Sequence, residues 1–432
     1  MTQGVTGGMG GPLSGIRVVE LAHIMAGPVC GLMLADMGAD VVKVERLPGG
    51  DGTRGFVPPD VDGESAAFMM LNRGKRGVAV DFRSQGGLSV VRRLLDHADV
   101  VIENFRVGTM EVMGLGWETL SRETPRLVYC QITGFGRTGP LAEQGGFDLI
   151  AQGYSGLMSV TGEGPGREPV KIGAPVTDIT AGILAAFGVT AALFERERTG
   201  RGRRVDTSLL EAGITQTYWQ SAIALASGSS PGPLGSAHPL SAPYQAFRTA
   251  DGWINVGASN QPTWVALTRA IDAPHLTADA RFTTNASRMR HHPELIEALT
   301  SIFATRSSDE WLTALTRGGV PAGPIASVGE MLEHPQTVAR DMVVEVEHTS
   351  LGRVRSIGSP VKLSDRAAEL RGRSASSGSE EDGVGPTTKR RGAPLLGEHT
   401  REVLAEAGYA TEQVDGFVAE GSVLQHAETT ER

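Results

Sequence analysis

Five short apolar runs rich in β-branched residues, spaced far enough apart for helices to lie between them, constrain this chain more than anything else in it. They are Ile16-Arg17-Val18-Val19-Glu20-Leu21, Val41-Val42-Lys43-Val44-Glu45, Val78-Ala79-Val80-Asp81, Val100-Val101-Ile102 and Leu127-Val128-Tyr129-Cys130. Near-continuous runs of this kind read as strands buried on both faces, and parallel neighbours need a crossover of about a dozen residues or more. Pro28 to Met37, with its proline near the first turn, and Gly86 to Ala98 supply helical crossovers. The fold expected is α/β, a parallel Rossmann-like sheet with helices over it. The first turn reads His23-Ile24-Met25-Ala26-Gly27-Pro28 and lacks GxGxxG, so a standard dinucleotide site is not expected.

Further along, an almost wholly apolar helix is expected from Asp178 to about Arg198, stopping at Thr199-Gly200-Arg201-Gly202. A second helix is expected from near Asp206, carrying Leu209, Leu210 and Trp219, with both deeply packed. The apolar stretch Ile179 to Phe194 is too short to span a bilayer. Gly, Ser and Pro dominate around Ser227 to Ser241. Beyond them the strand Trp253-Ile254-Asn255-Val256 and helices at 261–271 and 292–305 predict a small α+β domain over 225–330. Residues 1–12 read as a disordered tail, and 366–392 as a disordered polar insertion too poor in apolar residues to fold.

Composition narrows the classes. With 432 residues, 40% of them hydrophobic and 21% charged, the chain is globular, and neither disorder nor a fibrous protein describes its bulk. Lys plus Arg number 40 against 49 Asp plus Glu, a net charge of −9 with no dense basic face, so nucleic-acid binding is not expected. The N-terminus MTQGVTGGMGGPLSG has neither a basic nor an apolar leader region, and a cytoplasmic protein with no membrane association is expected. Cys30 and Cys130 lie outside any CxxC pattern and read as buried free thiols. The histidines are scattered without HExxH, and no metal site is expected.

The residues that suit chemistry are few. Asp178 stands just before the apolar helix, where it reads as an N-cap. A carboxylate kept ionised by helix amides would also serve as a nucleophile, and the two roles are compatible. Asp148, in Gly145-Gly146-Phe147-Asp148, reads either as a second functional carboxylate or as a loop cap. His23 stands at the carboxyl end of the first strand, where open α/β sheets bind ligands, with a structural role as the alternative. Arg46, Arg83 and Arg106 each follow a strand. As a set they suit a phosphorylated ligand, and singly they read as solvated surface arginines.

In the order and spacing of its motifs the chain resembles the class III CoA-transferase family, which includes formyl-CoA transferase and carnitine CoA-transferase together with α-methylacyl-CoA racemases. The motifs are Leu13-Ser14-Gly15-Ile16-Arg17-Val18, Ala26-Gly27-Pro28, Gly38-Ala39-Asp40-Val41-Val42-Lys43-Val44-Glu45, Asn72-Arg73-Gly74-Lys75-Arg76, Glu103-Asn104-Phe105-Arg106, Thr199-Gly200-Arg201-Gly202 and Ala393-Pro394-Leu395-Leu396-Gly397-Glu398-His399-Thr400. Everything but the N-terminal tail and the 366–392 tract is covered.

The resemblance implies a large CoA-binding domain over 13–224 to which 331–432 returns, so that its sheet is built from both chain ends, and two subunits interlocked as a homodimer. It implies Asp178 as the nucleophile and Asp148 as the carboxylate near the thioester. CoA contacts carry over to His23, Met25, Ala26, Arg46, Val80, Arg83, Asn104, Phe105 and Arg106. Acyl-CoA and a free carboxylic acid would be the substrates, with no permanently bound cofactor. The family's chemistry passes through an aspartyl acyl anhydride and an aspartyl-CoA thioester.

Three departures are visible. A CoA-contacting arginine of formyl-CoA transferase falls at Val112, its mobile glycine run falls at Gly235-Ser236-Ala237-His238-Pro239-Leu240-Ser241, and its pocket tryptophan falls at Phe56. An oxalate or formyl substrate is therefore not expected. Racemisation, the alternative, needs a base on each side of an α-carbon, and the positions resembling those bases hold Phe147 and Asn260. A catalytically silent CoA-binding protein is the third reading, and retention of both aspartates speaks against it.

Overall fold

The β-branched runs become strands of one sheet: β1 (Arg17–Glu20), β2 (Asp40–Arg46), β3 (Arg76–Val80), β4 (Val100–Glu103), β5 (Val128–Thr133) and β6 (Arg204–Ser208), joined at one edge by β7 (Val423–Leu424). In the computed structural model, which describes residues 11–364 and 391–427, they lie in the order β7-β3-β2-β1-β4-β5-β6. The first six are parallel, and β7 runs antiparallel to β3. The order 3-2-1-4-5-6 is that of doubly wound nucleotide-binding sheets, whose ligands sit beyond the carboxyl ends where the order reverses. Here that point lies between β1 and β4.

The covering helices include α1 (Ala26–Asp36), α2 (Gln85–Asp96) and α3 (Val176–Thr199). On one side α1 and α3 bury Val18, Val41, Ile102 and Cys130 of the sheet with Ala181, Ala185 and Val189 of α3. On the other, α2 and the helices Thr400–Glu406 and Thr411–Ala419 close over Val19, Val42, Val101 and Tyr129. The chain's end is stitched to β3, because His399 N–H donates to Gly77 O at 2.9 Å and a Cβ on Gly77 would stand 2.8 Å from Pro394. Gly11 and Pro12, read as part of a disordered tail, are placed, with Gly11 against Met37 and Gly38. The polar insertion lies outside the described residues apart from Arg391 and Gly392.

Two expectations about the long helices are corrected. Asp206 lies inside β6, paired with Gln131 of β5, and the helix after it begins at Leu209. Its run is short and partly polar because β6 is an edge strand of the sheet, so the cap-like aspartate was the more visible signal. Nor is deep packing complete. Ile183, Phe187 and Phe194 on α3 are 47%, 71% and 69% exposed, and Trp219 on the helix Tyr218–Ser227 is 59% exposed. At 24 residues α3 is also long and apolar enough to cross a membrane by length and composition, contrary to the sequence estimate. Its alanine-rich face nevertheless lies in the core beneath the sheet.

Contacts divide the chain into two units, the first drawn from residues up to 151, 174–213 and 335 onward, the second from 152–173 and 214–334. The second is wider than the 225–330 read from composition. It holds an antiparallel sheet of Tyr244–Arg248, Trp253–Gly257 and Ala322–Pro324. The helices Gln261–Ala270, His292–Phe303 and Ser308–Arg317 contribute Trp264, Phe303 and Trp311 to one core with Phe247.

Helix α3 approaches α1 through a missing side chain, since a Cβ on Gly182 would lie 2.6 Å from Ala26 O and 2.7 Å from the Val29 side chain. Gly182→Val is therefore expected to lower stability by about 1–3 kcal/mol or more through overpacking. Urea unfolding measures it, and an unchanged midpoint would refute the close approach.

Candidate active site

A cavity of about 800 Å³ opens at the carboxyl ends of the sheet strands, walled by His23, Ile24, Arg46, Arg83, Phe105 and Phe147 among others. It lies at the reversal of strand order. Of the residues expected to contact CoA, His23, Arg46, Arg83 and Phe105 line it. Met25, Ala26, Val80, Asn104 and Arg106 do not. Ala26 is buried beneath α3, and Val80 is in the core with its carbonyl taken by Leu47 N–H at 2.9 Å. Arg106 is exposed beside Gly145, and Val112, at the departed arginine position, is 90% exposed. Asn104 acts through its neighbour: its Oδ1 accepts from His23 N–H at 2.9 Å and its Nδ2 donates to His23 O at 2.8 Å.

The cavity floor is ionic, and sequence reasoning missed it. Lys43 Nζ lies 3.0 Å from Glu20 Oε1 and 2.9 Å from Asp51 Oδ2, and donates to Ala22 O at 2.9 Å. Asp51 also accepts from Ile24 N–H on both oxygens at 3.1 and 3.2 Å, and from Thr53 N–H and Oγ1 at 2.9 Å each. Burial opposes both charges, yet Glu20 and Asp51 hold the Lys43 ammonium above its ordinary range. Lys43 and the Thr53 and Ile24 amides hold the Asp51 carboxyl far below its own. A lysine inside an apolar strand run was the available signal. His23 is kept below the usual imidazole value, first by burial and then by Lys43 and Arg46, against the opposing pull of Asp51.

Ile24 has φ +65°. A β-branched residue in the left-handed region is a true outlier, costing about 1–3 kcal/mol, and such strain gathers where ligands bind.

The two aspartates come together at the start of α3. Gly134 and Gly146 let the loop before Asp148 lie on the end of β5, since a Cβ on Gly146 would stand 2.5 Å from the Gly134 Cα. Asp148 then opens the helix Asp148–Tyr154, and its Oδ1 accepts from Thr177 N–H at 2.9 Å and Thr177 Oγ1 at 2.8 Å. It is Asp148, from another element, that satisfies the α3 N-terminus. Asp178 makes no side-chain cap: the residue at the cap position is Pro175. Nor is it kept ionised by helix amides, as the sequence reading had it. Burial, and then the charge of Asp148, push its carboxyl up to about 7. Phe147, next to Asp148, is part of the cavity wall.

The remaining candidates are structural. Asn260 caps the helix Gln261–Ala270, accepting from Thr263 N–H at 3.0 Å. Among the described residues no cluster of three or more His, Cys, Asp or Glu is arranged to hold a metal. Cys30 and Cys130 are buried and free.

A doubly wound sheet with an open cavity at its switch point and a paired-aspartate helix start defines an α/β enzyme that takes a nucleotide-bearing substrate. Residues 13–378 match CoA-transferase family III, and the chain belongs to that family and transfers CoA. It is 40% identical to the succinate–glutarate CoA-transferase of Agrobacterium fabrum, over 91% of this chain and 95% of that one. It is 38% identical to the succinyl-CoA:mesaconate CoA-transferase of Haloarcula hispanica, over 93% and 98%. The crystal structure of a CAIB/BAIF family protein from Brucella suis superposes with a TM-score of 0.77 at 39% identity, covering 92% of this chain and all of that one.

A carboxyl raised in the folded state stabilises it below the unfolded value, near 3.8, and that contribution is lost as pH rises through about 7. Asp178→Asn should therefore gain melting temperature over the wild type progressively from pH 4 to pH 7 and level off above. Differential scanning calorimetry across that range measures it. A difference independent of pH would contradict the burial of Asp178.

Proposed function

We propose that this enzyme exchanges CoA between succinyl-CoA or a similar dicarboxylyl-CoA and a free dicarboxylic acid of about the size of glutarate or mesaconate, with Asp178 as the covalent nucleophile. The observation that carries the reading is the Asp148–Asp178 pair at the start of α3. The acid class rests on the relatives, which act on succinate, glutarate and mesaconate by name.

The Asp178 carboxylate attacks the thioester carbonyl of the donor and expels CoA thiolate, leaving an acyl-aspartyl anhydride. The thiolate attacks the aspartyl carbonyl, releasing the donor acid and forming an aspartyl-CoA thioester. The acceptor carboxylate then displaces the thiolate to give a second anhydride. Attack of the thiolate on its acceptor-derived carbonyl forms the new thioester and restores Asp178. Covalent catalysis divides one hard exchange into easier steps. Raising the Asp178 carboxyl to about 7 makes the carboxylate more basic, and so a better nucleophile, while leaving much of it ionised at neutral pH. His23, Arg46, Arg83 and Phe105 bind the CoA.

Asp178→Ala is expected to lower exchange by about 10³-fold or more while CoA binding persists, because it removes the covalent step. Succinyl-CoA with hydroxylamine should convert Asp178 to a hydroxamate visible by peptide mass spectrometry. In the wild type kcat/KM should rise with pH and reach half its maximum near 7, since that ratio reports the free enzyme's ionisation. An alanine variant with more than trace activity removes Asp178 from the mechanism.

The enzyme is further proposed to be a homodimer. Ile183, Phe187 and Phe194 repeat at helical spacing on the exposed face of α3, and an apolar stripe of this kind calls for a covering surface. Light scattering at micromolar concentration should give twice the chain mass of 45.5 kDa. A monomeric mass refutes it.

A further inference from the structure

Among the described residues, four that are not glycine have their backbone in the αL region: Ile24, Asp62, Asp272 and Asp341. Aspartate tolerates that region through its short polar side chain, and isoleucine does not. Something must therefore hold residue 24 where it is. Its N–H is gripped by both oxygens of Asp51 at 3.1 and 3.2 Å. Asp51 is in turn immobilised by Lys43 at 2.9 Å, by two bonds from Thr53, and through its own N–H by Glu45 Oε2 at 2.9 Å.

The same lysine fixes Ala22 O at 2.9 Å. Asn104 fixes both the N–H and the carbonyl of His23. Every polar backbone group from Ala22 O to Ile24 N–H thus has a dedicated side-chain partner. The turn so held presents His23 and Ile24 to the cavity, with the His23 ring 5.7 Å from that of Phe105.

We propose that Asp51 is a positioning residue for CoA: it holds Ile24 in the left-handed conformation that shapes the β1–α1 turn before the ligand arrives. The proposal rests on the reading of the cavity as the CoA site. Without the carboxylate, Ile24 relaxes to negative φ, the His23 peptide turns with it, and the binding surface must be rebuilt at each encounter. The chemistry at Asp178 does not pass through Asp51, so binding suffers and turnover at saturation does not.

The test measures free-CoA affinity by calorimetry together with kcat and KM for succinyl-CoA:glutarate exchange in the full chain. Asp51→Asn should raise the CoA Kd about 10-fold or more while kcat falls less than about threefold. Adding Ile24→Gly to Asp51→Asn should recover most of the lost affinity, because glycine occupies φ +65° without strain. A residue that merely stabilised the fold would lose more with a second, more flexible substitution. Ile24→Pro leaves the Lys43–Asp51 pair intact but forbids positive φ and removes the N–H. It should weaken CoA binding at least as much, and it keeps the test open if Asp51→Asn does not fold. Wild-type affinity in Asp51→Asn or Ile24→Pro, or no rescue by Ile24→Gly, overturns the proposal while transfer by the wild type continues. Failure of the wild type itself to bind CoA would overturn the reading of the cavity as well.

Discussion

The ligand-facing end of the sheet depends on a buried chain of alternating charge, Lys75–Glu20–Lys43–Asp51. Its links measure 2.8, 3.0 and 2.9 Å, and none of the four side chains is more than 1% exposed. Charges taken from water are tolerable only when each is paired and hydrogen-bonded, and losing one partner leaves the other stranded. Lys43 bridges two carboxylates and stays firmly charged. Lys75 is pulled down to about 8, first by its burial, because it shares Glu20 with Lys43 and has no second carboxylate of its own in contact. The chain ties β1 and β2 to the loop that follows β2 and to the segment entering β3. It also accounts for Gly31 of α1, where a Cβ would fall 1.8 Å from Glu20 Oε2.

Asp51 and Asp178 show how surroundings divide one residue type between two tasks. Both are withdrawn from water, which by itself raises a carboxyl. Asp51 meets an ammonium, two N–H donors and a hydroxyl and is driven down, which suits a fixed anchor. Asp178 meets the negative charge of Asp148 and is raised to about 7, which suits the nucleophile proposed for it. Asp148 has a hand in both packing and electrostatics, since the contact that caps α3 through Thr177 also brings its charge to Asp178.

The parallel strands were legible because burial on both faces leaves an uninterrupted apolar run, and β1 to β5 emerged within three residues of their expected bounds. β6 was not, because an edge strand mixes polar and apolar residues and Asp206 imitates a helix start. His23, Arg46, Arg83 and Phe105 reached the cavity from positions just after strands. Val80 and Ala26, carried over by resemblance, proved to be core residues, and Asn104 a brace for His23. Lys43 and Asp51 were overlooked because a lysine in a strand and an aspartate in a loop are each unremarkable alone. Only folding brings them within 3 Å of each other.

Local sequence determined the α/β class, the helix that carries Asp178 and the singling out of two aspartates by residue type, because periodicity and residue chemistry are properties of neighbours along the chain. Tertiary structure decided which aspartate caps the helix, which one is raised toward neutral pH, and that an isoleucine is held in a glycine's conformation. Those outcomes are set by charges and donors arriving from residues 27 and 29 positions away, whose effect depends on distance and burial, and neither is written in the order of the letters.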